Sequence, residues 1–149
     1  VLLLSRQKAD EVRKREFPGG GAVPETIVAA DTVVAIDGEI LGKPHSAENA
    51  AEMLRRLSGR EHSVYTGVTV ISGEERVSFA ERTAVEFYPL TGQEIAAYVA
   101  TGEPMDKAGA YGIQGRGALL VRRIDGDYYN VMGLPVGELN QRLRAMGVN

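Results

Sequence analysis

The feature that most constrains the fold is an apolar stretch over residues 27–36 that carries one acidic residue, Asp31, near its centre. Its Val, Ile and Ala content is typical of a buried β-strand, and the Asp37-Gly38 pair that follows is a strong tight-turn signal. Residues 39–41 then predict a short return strand. Because an unpaired buried carboxylate is costly, Asp31 must have a partner or lie at an open edge.

Periodicity places further elements on both sides of this hairpin. Ser46 is a good N-cap for the second predicted helix and Gly59 a good C-terminal cap, while Thr91 and Glu94 form a capping-box pattern. Their order predicts an α/β fold in which helices pack on one mixed sheet within a single domain. The spacing predicts helices over residues 1–16, 47–58, 91–101 and 133–146, and strands over residues 62–71, 76–88, 118–124 and 127–132.

Composition excludes several classes of function. The 149 residues carry a net charge of -3, whereas a protein that binds nucleic acid through phosphate contacts is normally basic. There is no cysteine, which excludes disulfides and thiolate sites, and the two histidines cannot form a histidine-rich metal site. No apolar run approaches the ~18 residues that span a bilayer. We therefore expect no nucleic-acid or membrane partner and a cytoplasmic location.

Two charged residues in this region are candidates for chemistry, one within the first strand of the hairpin and one just after the second. Asp31 is a candidate metal ligand or a base that orients water, or else a strand-end aspartate that caps a turn. Lys43 lies between Gly42 and Pro44 just before a helix, where backbone amides and a lysine together form an anion site. The alternative for Lys43 is a solvated loop lysine.

A second candidate is the glycine-rich segment over residues 109–115, which matches neither a P-loop nor a dinucleotide fingerprint. It is a ligand loop or a plain connection. Gln114 within it offers both a donor and an acceptor, so it can pair with the edge of a nucleobase. Asp106 and Lys107 precede the segment and are either further site residues or surface charges.

The remaining polar residues are weaker candidates. Lys8 lies on the polar face of the first predicted helix, where a solvated lysine is ordinary. Thr66-Gly67 lies within a strand and indicates either a close backbone approach or a bulge. His45 and His62 have no partners at metal-ligand spacing, so we treat them as incidental.

The sequence as a whole resembles the Maf family of nucleoside triphosphate pyrophosphatases. The resemblance runs from residue 1 to the end in the family's order. The longest block contains Ala-Gly-Ala-Tyr-Gly-Ile-Gln-Gly, which is similar to the branch acting on dTTP and UTP. A sister branch, acting on methylated GTP, has Ser-Phe and Glu in place of Ala110-Tyr111 and Gln114. The matching blocks are residues 4–9, 29–34, 41–44, 54–59, 65–68, 98–115 and 131–135.

The resemblance implies a fold, a reaction and site residues. The fold is like that of inosine triphosphate pyrophosphatases, elongated, with a cleft between two lobes, and a homodimer is expected. The reaction is hydrolysis of a nucleoside triphosphate to the monophosphate and pyrophosphate with Mg²⁺ or Mn²⁺. By position, Asp31 is the catalytic aspartate and metal ligand, Lys43 is catalytic, and Lys8, Thr32 and Gln114 bind substrate.

One family segment has no counterpart in residues 1–149. The family begins with a strand and a Ser-x-Ser-Pro-Arg-Arg loop that grips the triphosphate, followed by a site glutamate. We therefore expect a Maf-like domain over residues 1–149 that is incomplete at its N-terminus, with little activity if the protein starts at Val1. The alternative function is a non-catalytic, nucleotide-binding regulator of septum formation and cell division.

Overall fold

The computed structural model describes residues 1–148, with the backbone alone for residues 23 and 24. Three 3-10 turns lie between the third helix and the last strand, at Glu103–Asp106, Ala108–Ala110 and Gly115–Leu119. In chain order, the helices and strands are α1 (Leu2–Glu16), β1 (Val23–Ile36), β2 (Glu39–Leu41), α2 (Ala47–Leu57), β3 (Glu61–Gly73), β4 (Glu75–Phe87), α3 (Gly92–Ala100), β5 (Val121–Asp125), α4 (Tyr128–Met132) and α5 (Val136–Ala145).

The five strands form one sheet in the order β2-β1-β3-β4-β5. All four pairings between them are antiparallel. The α/β class with helices flanking a single sheet is therefore confirmed, as are the two hairpins β1–β2 and β3–β4. Among residues 1–148, no helix is long and apolar enough to cross a membrane.

The two faces of the sheet carry different helices. Successive side chains of a strand point to opposite faces. On one face, α1 packs Ala9 against Ile27 and Ala29 of β1. The other face carries the larger cores, including Val34 and Val64 beneath α2 and α3. A further cluster on that face packs Val68, Val70 and Phe79 against Leu139 of α5.

Helix starts follow the predicted caps. The Ser46 side chain accepts a hydrogen bond from the Asn49 backbone N–H at 3.0 Å, which begins α2. Thr91 and Glu94 form a reciprocal capping box at the start of α3. Each cap satisfies backbone groups that the first turn of a helix leaves without partners. These local signals are confirmed because they depend only on neighbouring residues.

The strand predicted over residues 127–132 is wrong, because these residues form α4 after the Asp127 cap. The Asp127 side chain accepts a hydrogen bond from the Tyr129 N–H at 2.8 Å. Thr83 Oγ1 on β4 also contacts both backbone groups of Asp127, at 3.0 and 3.1 Å. The preceding strand is shorter than predicted, because Gly115–Leu119 is a 3-10 turn and β5 begins at Val121.

The interpretation of Thr66-Gly67 as a bulge is also wrong. Gly67 stays in unbroken register with Asp31 on one side and Ala80 on the other. The glycine instead admits α1, because a Cβ at this position would lie 2.5 Å from the carbonyl carbon and oxygen of Val1. The backbone that approaches Gly67 is thus the start of α1, which packs directly on the centre of the sheet.

We expect Gly67→Ala to lower the free energy of unfolding by about 1–3 kcal/mol, since the new methyl group would overlap backbone rather than a flexible side chain. Urea denaturation measures this directly. Gly137→Ala in α5 is the matched control: a Cβ there meets nothing within 4 Å, and alanine is the better helix former. Equal stability of Gly67→Ala and the unchanged protein would contradict the close packing.

Candidate active site

Asp31 lies near the middle of β1 on the face that α1 covers, so it does not cap a turn. Lys8 Nζ on α1 donates to Asp31 Oδ1 at 3.1 Å and to the Ala30 carbonyl at 3.1 Å. The Asp31 side chain is only 16% exposed. Its other oxygen, Oδ2, is buried and has no hydrogen-bond partner among the described residues. A buried oxygen without a partner is costly, so a donor or a cation placed beside this atom would stabilise it.

A cavity of about 270 Å³ lies on the opposite face of β1. Three of the predicted site residues line it, namely Thr32, Lys43 and Gln114. Asp31 and Lys8 do not, because neighbouring strand residues point to opposite faces. The structure therefore divides the five predicted residues into two groups, one on each side of β1.

The two groups meet at residues 31 and 32 of β1, whose side chains point to opposite faces of the strand. On one side, β3 pairs with β1 throughout residues 27–35. On the other side, among the described residues, β2 pairs with Val34–Ile36.

Lys43 reaches the cavity from the loop after β2. The Gly109 N–H donates to the Gly42 carbonyl at 3.1 Å, which ties this loop to the glycine-rich segment. Gly109 has a φ of 71°, and a Cβ there would lie 2.9 Å from the Val34 side chain. Only glycine meets both conditions without strain. The segment is thus anchored against β1, beside Lys43.

Asp106 and Lys107 also line the cavity, where the Asp106 side chain is 76% exposed and that of Lys107 is 41% exposed. Lys107 Nζ donates to Asp106 Oδ1 at 2.8 Å. This hydrogen bond and the lysine charge hold the pKa of Asp106 below its usual value, with a further contribution from the Lys43 charge. The cavity therefore has two ammonium groups, one of which is already partnered by a carboxylate.

Glu103 is the organising residue that the sequence did not indicate. Its Oε1 accepts from Tyr98 OH at 2.8 Å and from the Gly117 N–H at 3.0 Å, and its Oε2 accepts from the Arg116 N–H at 3.2 Å. Tyr98 OH in turn accepts from the Gly112 N–H at 3.1 Å. Burial works to raise the pKa of Glu103, but these donors outweigh it and the pKa is lowered.

These hydrogen bonds hold both ends of the loop that carries Gln114. Gly117 packs so closely that a Cβ would lie 1.8 Å from the Gly112 carbonyl oxygen. Gln114 itself is exposed and lies between the two anchored ends. No local pattern could reveal Glu103, because its backbone partners at positions 116 and 117 come close only in the folded chain.

His62 is not incidental, because it supports Tyr111 at the wall of the cavity. His62 Nε2 and Tyr111 OH are 2.6 Å apart, and both rings pack edge-on against Phe87. His62 is 3% exposed, and burial lowers its pKa to about 4. Burial likewise raises the pKa of Tyr111. The pair is therefore neutral near pH 7.

The fit of a divalent metal depends on Asp31. The described residues contain no group of three or more His, Cys, Asp or Glu side chains that could hold a metal ion. Mg²⁺ usually binds through one or two carboxylates and takes its other ligands from water and substrate phosphates. The unpartnered Asp31 Oδ2 fits such a single-carboxylate site, with a bound triphosphate as the other source of oxygen ligands.

Comparison with known proteins decides the family. The family model described as Maf-like protein matches residues 1–146. The chain belongs to the Maf-like protein family. This assignment agrees with the resemblance seen in the sequence.

Three relatives from this family are named dTTP/UTP pyrophosphatase. The protein of Carboxydothermus hydrogenoformans is 54% identical over 99% of this chain and 77% of its own length. The protein of Bacillus velezensis is also 54% identical, over 99% and 75% of the two chains. The protein of Moorella thermoacetica is 52% identical, over 97% of this chain and 76% of its own length.

We expect Glu103→Ala to lower the free energy of unfolding by about 2 kcal/mol, because three donors lose a charged acceptor. The amides of Arg116 and Gly117 should also exchange with solvent faster. Urea denaturation and amide hydrogen exchange test the two expectations. Glu138→Ala, which removes only an i,i+4 pair with Arg142, should cost less than ~0.5 kcal/mol. Unchanged protection of both amides in Glu103→Ala would contradict the anchoring role.

The pKa of His62 predicts a loss of stability in acid. The unfolded chain binds a proton near pH 6.5, whereas the folded chain binds it only near pH 4. Falling pH therefore favours the unfolded state across this window, by up to about 3 kcal/mol from this group. Above pH 6.5, His62 is mainly neutral in both the folded and the unfolded state, so it causes no loss of stability there.

Chemical denaturation between pH 7 and pH 4 measures this effect. We expect His62→Gln to reduce the slope of stability against pH, while His45→Gln, which replaces an exposed histidine, leaves it unchanged. The same slope in both variants would show that His62 is not the group responsible.

Proposed function

We propose that the protein is a nucleoside triphosphate pyrophosphatase that hydrolyses dTTP and UTP to the monophosphate and pyrophosphate. The observation that carries the proposal is the 54% identity, over 99% of the chain, to a protein named dTTP/UTP pyrophosphatase. The site is consistent with it, because a cavity with ammonium groups and an exposed amide lies on one face of β1, and a carboxylate with one oxygen unpartnered among the described residues lies on the other.

The substrate contacts residues on both faces of β1 in this proposal. The base occupies the cavity near Thr32 and Gln114, and the triphosphate lies toward Asp31. Lys43 offsets phosphate charge on the cavity side. Lys8, whose Nζ is 3.1 Å from Asp31 Oδ1, offsets it on the other face. Most of the catalysis would then come from positioning and electrostatic stabilisation.

Asp31 acts on the attacking water in this proposal. Its Oδ1 is held by Lys8, so the side chain has a defined orientation. The free Oδ2 accepts a hydrogen bond from water and orients its oxygen toward the α-phosphorus. The water oxygen forms a bond to the α-phosphorus as the bond from that phosphorus to the bridging oxygen breaks, and pyrophosphate leaves with that oxygen. Asp31 Oδ2 takes up the water proton and releases it to solvent.

A divalent cation, Mg²⁺ or Mn²⁺, is part of the proposal. The Asp31 carboxylate would hold it together with phosphate oxygens, and bound there it would offset negative charge on the triphosphate. We further propose a homodimer, as the family resemblance implies. A cytoplasmic enzyme is consistent with a nucleotide substrate and a chain that lacks cysteine.

Pyrophosphate release tests the proposal on protein expressed from its complete coding sequence. With Mg²⁺ or Mn²⁺ present, we expect kcat/KM for dTTP and UTP to exceed that for CTP and GTP by at least about tenfold. Binding of dTTP without release of pyrophosphate would contradict the enzyme and favour the non-catalytic regulator.

Asp31→Asn tests the role of the carboxylate. The amide keeps the size of the side chain but cannot serve as a base, so we expect kcat to fall by at least about 100-fold with little change in melting temperature. Asp37→Asn is the control, because Asp37 is exposed in the β1–β2 turn and pairs with Arg60 away from the cavity. A full rate in Asp31→Asn would exclude Asp31 as the catalytic aspartate.

A further inference from the structure

Beneath the cavity wall, Thr32 takes part in a chain of hydroxyl groups. Thr32 Oγ1 lies 2.9 Å from Thr66 Oγ1, its register partner on β3, and 3.4 Å from the Gly133 carbonyl oxygen. Thr66 Oγ1 lies 3.2 Å from the Asn130 carbonyl oxygen. Thr32 lines the cavity, whereas Thr66 is fully buried behind it.

The α4 end of this chain is held rigidly. Asn130 is fully buried, and its Nδ2 donates to the Val64 carbonyl at 3.1 Å and to Thr83 Oγ1 at 3.0 Å. These bonds attach the first turn of α4 to β3 and β4. The Asn130 carbonyl that faces Thr66 therefore has a defined position.

The hydroxyl hydrogens of Thr32 and Thr66 and their acceptors limit what Thr32 can offer to a ligand. Each threonine hydroxyl has one hydrogen, and a carbonyl oxygen can only accept. When Thr66 donates to Asn130, the Thr32 hydrogen goes to Thr66. When Thr66 donates to Thr32, the Thr32 hydrogen goes to the Gly133 carbonyl. The first arrangement uses the two shorter contacts, of 2.9 and 3.2 Å, whereas the second relies on the 3.4 Å contact with the Gly133 carbonyl, so the first is favoured. It uses the Thr32 hydrogen within the protein and leaves an oxygen lone pair free.

We propose that Thr66 and Asn130 hold Thr32 as a hydrogen-bond acceptor toward the cavity, so that the site selects a base with a hydrogen on N3. This inference rests on the proposed function and adds the basis of its selectivity. Thr66 is a positioning residue here, because it acts on the ligand only through Thr32.

Because Thr32 accepts a hydrogen bond from the cavity side in this proposal, the bases differ in how well they pair with it. Uracil and thymine share an edge with a donor, N3–H, between the acceptors O2 and O4. Cytosine has an unprotonated N3, which would face the Thr32 lone pair without a hydrogen between them. A buried acceptor facing another acceptor loses its hydrogen bond and pays for desolvation, so CTP is disfavoured.

A substrate analogue tests the inference without changing the protein. We expect 3-methyl-UTP, which lacks the N3 hydrogen, to have a kcat/KM at least about tenfold below that of UTP. Hydrolysis of 3-methyl-UTP as fast as that of UTP would overturn the inference. This experiment uses the unchanged protein, so its result does not depend on whether a variant folds.

Thr66→Val isolates the hydrogen bond from the shape of the site. Valine keeps the volume of threonine, and the Asn130 carbonyl still accepts from the Gly133 N–H at 3.0 Å. Without Thr66 Oγ1, the Gly133 carbonyl at 3.4 Å is the acceptor left for the Thr32 hydrogen, so an acceptor on a ligand in the cavity competes for it. We expect the ratio of kcat/KM for UTP to that for CTP to fall by about tenfold.

Two further variants separate polarity from packing. Thr66→Ser restores the hydroxyl, so the UTP preference should return. Thr69→Val is the matched control, because Thr69 is equally buried on β3 and hydrogen-bonded to Ser5 and Ser78, but on the opposite face. We expect it to lower stability and leave the UTP:CTP ratio unchanged. Equal loss of both substrates in Thr66→Val would reduce Thr66 to a structural residue and overturn the inference.

Failure of the proposed function gives a different result. If no triphosphate is hydrolysed, the pyrophosphatase proposal fails. The inference is then tested by calorimetry, from the ratio of the affinity for UMP to the affinity for CMP. A UMP preference that Thr66→Val removes and Thr66→Ser restores supports it. Equal affinity for UMP and CMP, or no binding of either, overturns it.

Discussion

The structure depends on the antiparallel pairing of β1 with β3, which runs in continuous register from Ile27 to Ala35. This register places Asp31 opposite Gly67 and Thr32 opposite Thr66. The glycine lets α1 approach and bring Lys8 to the carboxylate, while the threonine pairing orients a hydroxyl beneath the cavity. A slip of one residue would exchange the two faces and separate both groups from their partners.

Side chains that bind backbone groups hold the irregular parts of the site in place. Glu103 and Tyr98 receive N–H groups of the loop that carries Gln114, and Thr83 holds the start of α4. The segment around Gln114 has 3-10 turns and tight glycine contacts but little regular structure. Such a loop stays ordered only when its backbone groups find partners elsewhere, and here a few buried or half-buried polar side chains supply them.

Much of the fold was predictable, because its signals are local. Ser46 and the Thr91–Glu94 box each begin a helix by contacts within one turn, and strand alternation identified β3 and β4. The prediction failed at residues 127–132, because the five residues of α4 are too few for a helical period to be visible. Their helical form depends on Thr83 and the buried Asn130, which are distant along the chain.

The apolar stretch around Asp31, the Asp37-Gly38 turn, the helix caps and the family motifs are properties of the sequence by itself, because each depends on residue type and near neighbours. The sequence therefore determined the α/β class, the family and the candidate residues. Only the tertiary structure decided that Asp31 and Thr32 point to opposite faces of β1, that Glu103 holds the loop around Gln114, and that Thr66 lies between Thr32 and the Asn130 carbonyl. Those contacts join residues far apart in the chain, and no local pattern records them.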